Sequence, residues 1–315
     1  MSGPIAPRED LLGRALEDFA QEVRRRSQGE EAEAGPDWMA LLDELRHSVQ
    51  KIGMRERTGG TDAFGFDPDL LATVRPLLRL LRERWWRVEV RGMQRLPETG
   101  PVLLVANRAG LLPWDGLMIA EVVEEASAGR DRPRFLVADW LVTLPFAQPT
   151  LARLGGVRAC PENAARLLRA GRSVVAFPEG QKGAAKVFAE RYRLQRFGRG
   201  GVVRLALQAG VPLLPVAVVG SEEVHPVLFK VEVLARTAGL PFLPVTPTFP
   251  WLGPFGMIPL PSKWSIELGA PLETAGLGVA AARDDLLVAR LTEQLRAELQ
   301  HMVDSGVRSR SGIFA

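Results

Sequence analysis

Two uninterrupted apolar runs, Val102-Leu-Leu-Val-Ala106 and Val174-Val-Ala-Phe177, each break off into a polar loop. Neither alternates polar with apolar residues, so each reads as a strand buried on both faces. Strands of that kind belong to a sheet covered by helices, and such sheets gather reactive side chains in the loops at their strand ends. The residues just past the two runs are therefore the first places to look for chemistry. They are Asn107-Arg108 with Asp115, and Glu179-Gly180 with Lys182.

The surrounding pattern fits that frame. Strands are expected at 88–90, 102–106, 135–138, 173–177 and 213–219, alternating with helices at 114–126, 161–170 and 200–209. Ser265 to Leu268 is expected to add an edge strand, and 281–303 a closing amphipathic helix. The fold class is thus α/β, a mixed, mostly parallel sheet flanked by helices. Residues 1–60 read as a helical, partly disordered N-terminal appendage, because the apolar spacing of Leu11, Leu12, Ala15, Leu16 and Phe19 is broken by Gln28-Gly-Glu-Glu-Ala-Glu-Ala-Gly-Pro36. Residues 61–315 form the α/β domain. Its first segment, 69–86, sets Leu70, Leu71, Val74, Leu77, Leu78 and Leu81 against Arg75, Arg79, Arg82 and Arg84, and either packs on the core or lies in a bilayer interface with Trp85 and Trp86 at headgroup depth.

Composition narrows the function classes. The 315 residues include a single cysteine, Cys160, which excludes an intrachain disulfide framework and points to a reducing, cytoplasmic compartment. No cluster has metal-ligand spacing, no apolar signal core opens the chain, and no run of about eighteen apolar residues offers a membrane span. A formal charge of +3 is too small to imply nucleic acid, although it favours approach to anionic lipid surfaces. Basic residues concentrate in Lys182, Lys186, Arg191, Arg193, Arg196 and Arg199, opposed only by Glu190, directly after the Glu179-Gly180 turn. A phosphate or headgroup contact is expected there.

The two loops and the segments C-terminal to them resemble the glycerophospholipid acyltransferase family, which includes the lysophosphatidate acyltransferases. Asn107, Asp115 and the Phe177-Pro178-Glu179-Gly180 turn match its first and third motifs. Further likeness runs through Glu190–Gly201, Ala209–Glu223 and Pro244–Trp264, covering about residues 85 to 273. Arg108 stands where the family carries its catalytic histidine, and six residues rather than the usual four separate it from Asp115, a spacing found in one bacterial branch. The resemblance implies transfer of a fatty acyl group from acyl-CoA or acyl carrier protein, a substrate rather than a cofactor, to a lysophospholipid-like acceptor. It also implies a protein peripheral to the inner face of the cell membrane. Asp115 and the residue at 108 would carry the transfer, while Glu179, Gly180, Lys182 and Arg158 would bind the acceptor phosphate.

Arginine at 108 alters that expectation. Acyl transfer to a hydroxyl needs a group that accepts the hydroxyl proton as oxygen attacks, which a neutral imidazole does near pH 7. A guanidinium stays protonated and only donates, and beside Asp115 it is expected to form an ion pair that also consumes the carboxylate. His47, His225 and His301 all lie outside the motif. A second reading therefore stands beside the enzyme: a catalytically inactive lipid-binding or regulatory homologue that retains the acceptor pocket. Elsewhere, Trp114 and Trp140 are expected as wall or core, Cys160 as a small buried residue, and Glu222 with His225 as loop stabilisers. The proline-rich segment 239–264 is expected to wrap as an ordered loop that lines an acyl groove, meets the membrane or covers the sheet.

Overall fold

The computed structural model describes residues 60–315, except 109, 111, 144–146, 232–234, 236–241, 273 and 314–315. The expected N-terminal appendage lies outside the described residues. A seven-stranded sheet forms the centre. Its strands are β1 (Glu89–Arg91), β2 (Leu103–Ala106), β3 (Arg134–Val137), β4 (Gly156–Arg158), β5 (Val174–Ala176), β6 (Leu213–Val219) and β9 (Ser265–Leu268). They lie in the order β1-β9-β6-β2-β5-β3-β4. All neighbours pair parallel except β6 with β9. The sheet is thus mixed and mostly parallel, and helices cover both its faces.

Successive side chains of a strand point to opposite faces, and the two cores sort by that rule. Leu104, Ala106 and Val175 enter one core with α1 (Pro68–Leu80) and α2 (Trp114–Ala126), whereas Leu103, Val105, Val174 and Ala176 enter the other. After α2 come two short helices, α3 (Asp139–Thr143) and α4 (Ala147–Arg153). The second core is closed by α5 (Pro161–Arg169), α7 (Gly201–Ala209) and α8 (Asp285–Ser309), while α6 (Gly180–Ala184) is the single turn after β5. Because both faces are buried, the central runs carry no polar residue.

Several expectations shift. Ser265–Leu268 is not an edge strand: it lies between β1 and β6, pairing with Glu89 on one side and Val219 on the other, so β1 takes the edge. The closing helix begins at Asp285, since the Asp284 side chain accepts from the amides of Leu286 and Leu287 and caps it there. The edge strand β4 is three residues long and carries no apolar run to signal it. Within 239–264, Leu243–Val245 forms strand β8, pairing antiparallel with β7 (Phe229–Val231). The segment then divides: Trp264 is fully buried and stacks on Trp86 at 4.5 Å, while Trp251 is 74% exposed. The apolar stripe of α1, namely Leu70, Leu71, Val74 and Leu78, packs into the core, and Trp86 with it. That segment therefore belongs to the core and not to a bilayer. No described helix is long and apolar enough to cross a membrane.

Candidate active site

β2 and β5 are adjacent and parallel, so the loops after them open at the same end of the sheet. Asn107, the first residue past β2, is fully buried, and its side-chain amide donates to the Val218 carbonyl and accepts from the Val218 amide, each at 2.8 Å. It continues the β2–β6 ladder beyond the last backbone pair and fixes where residue 108 begins. The Arg108 amide donates to Glu179 Oε1 at 2.8 Å, tying the two loops together.

The Arg108 side chain turns toward α2, where Nη1 meets Asp115 Oδ1 at 2.9 Å. The guanidinium also lies 4.9 Å from the centre of the Phe177 ring. Asp115 is fully buried and Arg108 is 4% exposed, so the pair is desolvated as well as close. Two ions taken out of water need such contacts to offset their lost hydration, and removing one partner would strand the other. The Gly116 amide also donates to Asp115 Oδ1, holding the carboxylate in the first turn of α2.

Glu179 is built into the frame. Its Oε1 receives the Arg108 amide, its Oε2 receives the Gln195 amide at 2.8 Å, and Lys186 Nζ lies 3.4 Å from Oε2. Lys186 reaches on to Glu222 at 2.8 Å, and Glu222 accepts from the Tyr192 amide. Burial pushes the Glu222 carboxyl up to about 7, with Lys186 opposing that rise. Gly183 sits against the same cluster. A Cβ there would meet the Cβ of Glu179 at 2.6 Å and that of Arg108 at 2.9 Å.

A cavity of about 370 Å³ adjoins Arg108, between the ends of β3 and β5 and helices α5 and α7. Leu136, Ala176, Phe177 and Leu205 make its wall largely apolar, and Arg108 and Arg199 add positive charge. Cys160 lines it half-buried, not fully buried as expected. None of the described residues of 239–264 lines it. The chemistry open to this arrangement is to take an apolar chain into the cavity and present a guanidinium to a polar group at its end.

The structure brings Arg108, Asp115 and Glu179 into one buried cluster. Gly180 lines the cavity with φ at +57°, and its amide donates to the Phe177 carbonyl, closing the turn. Lys182 is exposed on α6. Arg158 stands apart, exposed at the end of β4 and paired with Asp139 at 2.9 Å, although its neighbours Ala159 and Cys160 line the cavity. His225 is buried with its Nε2 at 2.8 Å from the Met257 carbonyl, and burial lowers its pKa. Sequence patterns do not reveal Lys186 and Glu222 as members of the cluster. Lys186 stands in the basic run expected to meet a phosphate or headgroup, yet it is buried against Glu179 and Glu222, and nothing local marks one lysine of a run as buried.

The family model described as Acyltransferase matches residues 87–219. An uncharacterized protein of Mycobacterium leprae is 43% identical over 317 residues, covering 97% of this chain and 86% of its own. An uncharacterized protein of Mycobacterium tuberculosis is 44% identical over 265 residues, covering 83% and 74%. Among solved structures, the 1-acyl-sn-glycerophosphate (LPA) acyltransferase PlsC of Thermotoga maritima is 15% identical, covers 85% of this chain and 90% of that one, and superposes with a TM-score of 0.48.

Proposed function

The chain belongs to the acyltransferase family, and from that premise we propose that it handles a fatty-acyl thioester, of coenzyme A or acyl carrier protein, and a lysophospholipid-like acceptor, with transfer limited by Arg108. The observation that carries this reading is the buried Arg108–Asp115 ion pair, set beside an apolar cavity where β2 and β5 end together. The cavity suits an acyl chain, and Arg108 would then donate to the thioester carbonyl oxygen as negative charge develops on it. The acceptor hydroxyl oxygen bonds to the carbonyl carbon, the carbon–sulfur bond breaks, and the hydroxyl proton has to leave. Arg108 cannot take it. Asp115 could do so through a water only once the ion pair opens, and the missing base alone costs roughly 10²- to 10⁴-fold in rate. Lys182 and Arg199, both exposed on this side, would meet the acceptor phosphate. Glu179, holding three donors already, would shape the site without touching phosphate.

A specific observation favours the alternative, a catalytically inactive lipid-binding or regulatory homologue: each acidic side chain in the cluster is engaged by a buried cation. In both readings the chain works at the membrane surface, on the cytoplasmic side, as a peripheral protein. One assay separates them: purified protein with acyl-coenzyme A and lysophosphatidate, wild type beside Arg108→His. Slow wild-type transfer that rises by about two to four orders of magnitude in the variant supports the limited enzyme. Two inactive forms that still bind lipid establish the inactive homologue. Wild-type activity equal to or above that of the variant would overturn the assignment of Arg108 as the limiting residue.

A further inference from the structure

At the opposite end of the parallel strands, where β3 and β5 begin, lies a second and larger cavity of about 680 Å³. Five arginines line it: Arg75 of α1, Arg130 and Arg132 ahead of β3, Arg134 at its start, and Arg172 ahead of β5. Asp62 and Glu124 are the carboxylates on the lining. Arg132 and Arg134 are only 7% and 3% exposed, a burial that arginine tolerates when its charge is met.

Their charge is met in part. Arg134 Nη2 lies 2.6 Å from Asp62, and Arg132 Nη1 reaches Glu121 at 2.8 Å and Glu124 at 2.5 Å. Yet Nε and Nη2 of Arg132, and Nε of Arg134 and of Arg75, are buried with no hydrogen-bond partner among the described residues. A buried donor without an acceptor carries its full desolvation penalty, and here four such nitrogens belong to groups around one cavity. The positive charges also press on one another: after burial, Arg172 and Arg132 lower the Arg134 pKa against the pull of Asp62. The remaining wall is apolar, with Phe66 under the Arg134 guanidinium at 3.9 Å and Leu71 beside it.

We propose that this cavity binds a phosphate-bearing ligand, a phosphomonoester or diphosphate whose organic part rests on Phe66 and Leu71. Phosphate oxygens are the acceptors that planar guanidinium groups match, and several can be engaged at once. The site is separate from the Arg108 cavity and does not depend on the function proposed above.

The test is calorimetry and thermal unfolding of the full chain with inorganic phosphate, with pyrophosphate, and with phosphatidylcholine vesicles with and without phosphatidate. Pyrophosphate binding should raise the unfolding temperature with concentration. Arg172→Gln, at an exposed position, should weaken binding about tenfold or more while the chain folds normally, and Arg132→Gln should abolish it. Arg290→Gln, exposed on α8 and lining neither cavity, should leave it unchanged. Binding of the soluble anions assigns a soluble phosphate ester; binding only to phosphatidate vesicles, lost in Arg172→Gln, assigns a lipid headgroup. The proposal is overturned if no probe binds, or if Arg290→Gln abolishes binding and Arg172→Gln does not.

Discussion

Arg108 and Glu222 are both buried ionic residues, and their protonation behaviour separates them. A guanidinium only donates, and Arg108 holds Asp115 in a buried ion pair at 2.9 Å. Glu222 is a carboxyl that burial has pushed to about 7, above its ordinary 4.5. The folded state then holds this proton more tightly than the unfolded state. Its contribution to stability is complete below pH 4.5 and is lost as pH rises through about 7. Unfolding by urea at pH 5 and pH 7.5 should show wild type losing about 2 kcal/mol from this group, and Glu222→Gln should reduce the loss. Some decline persists, because burial raises Glu223 in the same sense. An unchanged decline in Glu222→Gln would show that the carboxyl does not titrate as placed. The sequence offers Glu222 only as a loop stabiliser beside His225, and the packing of Lys186 and Arg310 against Ser221-Glu222-Glu223 is what makes both glutamates buried.

At the scale of elements, the turn after β5 and the loop after β2 hold each other through Glu179, and α6 closes over both. Its two glycines have different reasons. Gly180 needs its left-handed φ of +57°, while a Cβ there meets open space. Gly183 has an ordinary backbone, but a Cβ would sit 2.6 Å from that of Glu179. Gly183→Ala should therefore displace Glu179 and Arg108 together and cost about 1–3 kcal/mol in urea unfolding, as overpacking does. A stability equal to wild type would mean that α6 moves freely, and that the Arg108–Glu179 link does not depend on it. The Phe177-Pro178-Glu179-Gly180 turn is visible in the sequence as a motif. The reason for Gly183 is not, since a close approach between two loops some seventy residues apart has no local pattern.

At the scale of the whole molecule, charge and apolar surface are distributed unequally. Along α1 and the turn after it, Arg75 pairs with Glu124 and Arg82 with Glu125, whereas Arg79 and Arg84 are exposed. Exposed apolar bulk includes Phe229 on β7 and Trp251 with Leu252 in the turn after β8. Exposed aromatic and aliphatic side chains of this size suit insertion at headgroup depth. If the chain binds vesicles there, Trp251→Ser with Leu252→Ser should weaken sedimentation with anionic vesicles at least tenfold and leave thermal unfolding unchanged. Undiminished vesicle binding would place the membrane contact elsewhere. The sequence by itself determined the sheet and its covering helices, because unbroken apolar runs can be buried only between two layers. It also determined that position 108 holds no proton acceptor, because that is a property of the guanidinium itself. Tertiary structure alone decided the rest: that β9 enters the sheet beside β6, that Glu179 holds the Arg108 amide while Lys186 joins it to Glu222, and that five arginines surround one cavity at the far end of the strands. Those facts depend on distances between residues remote in the chain, which local propensity and periodicity do not encode.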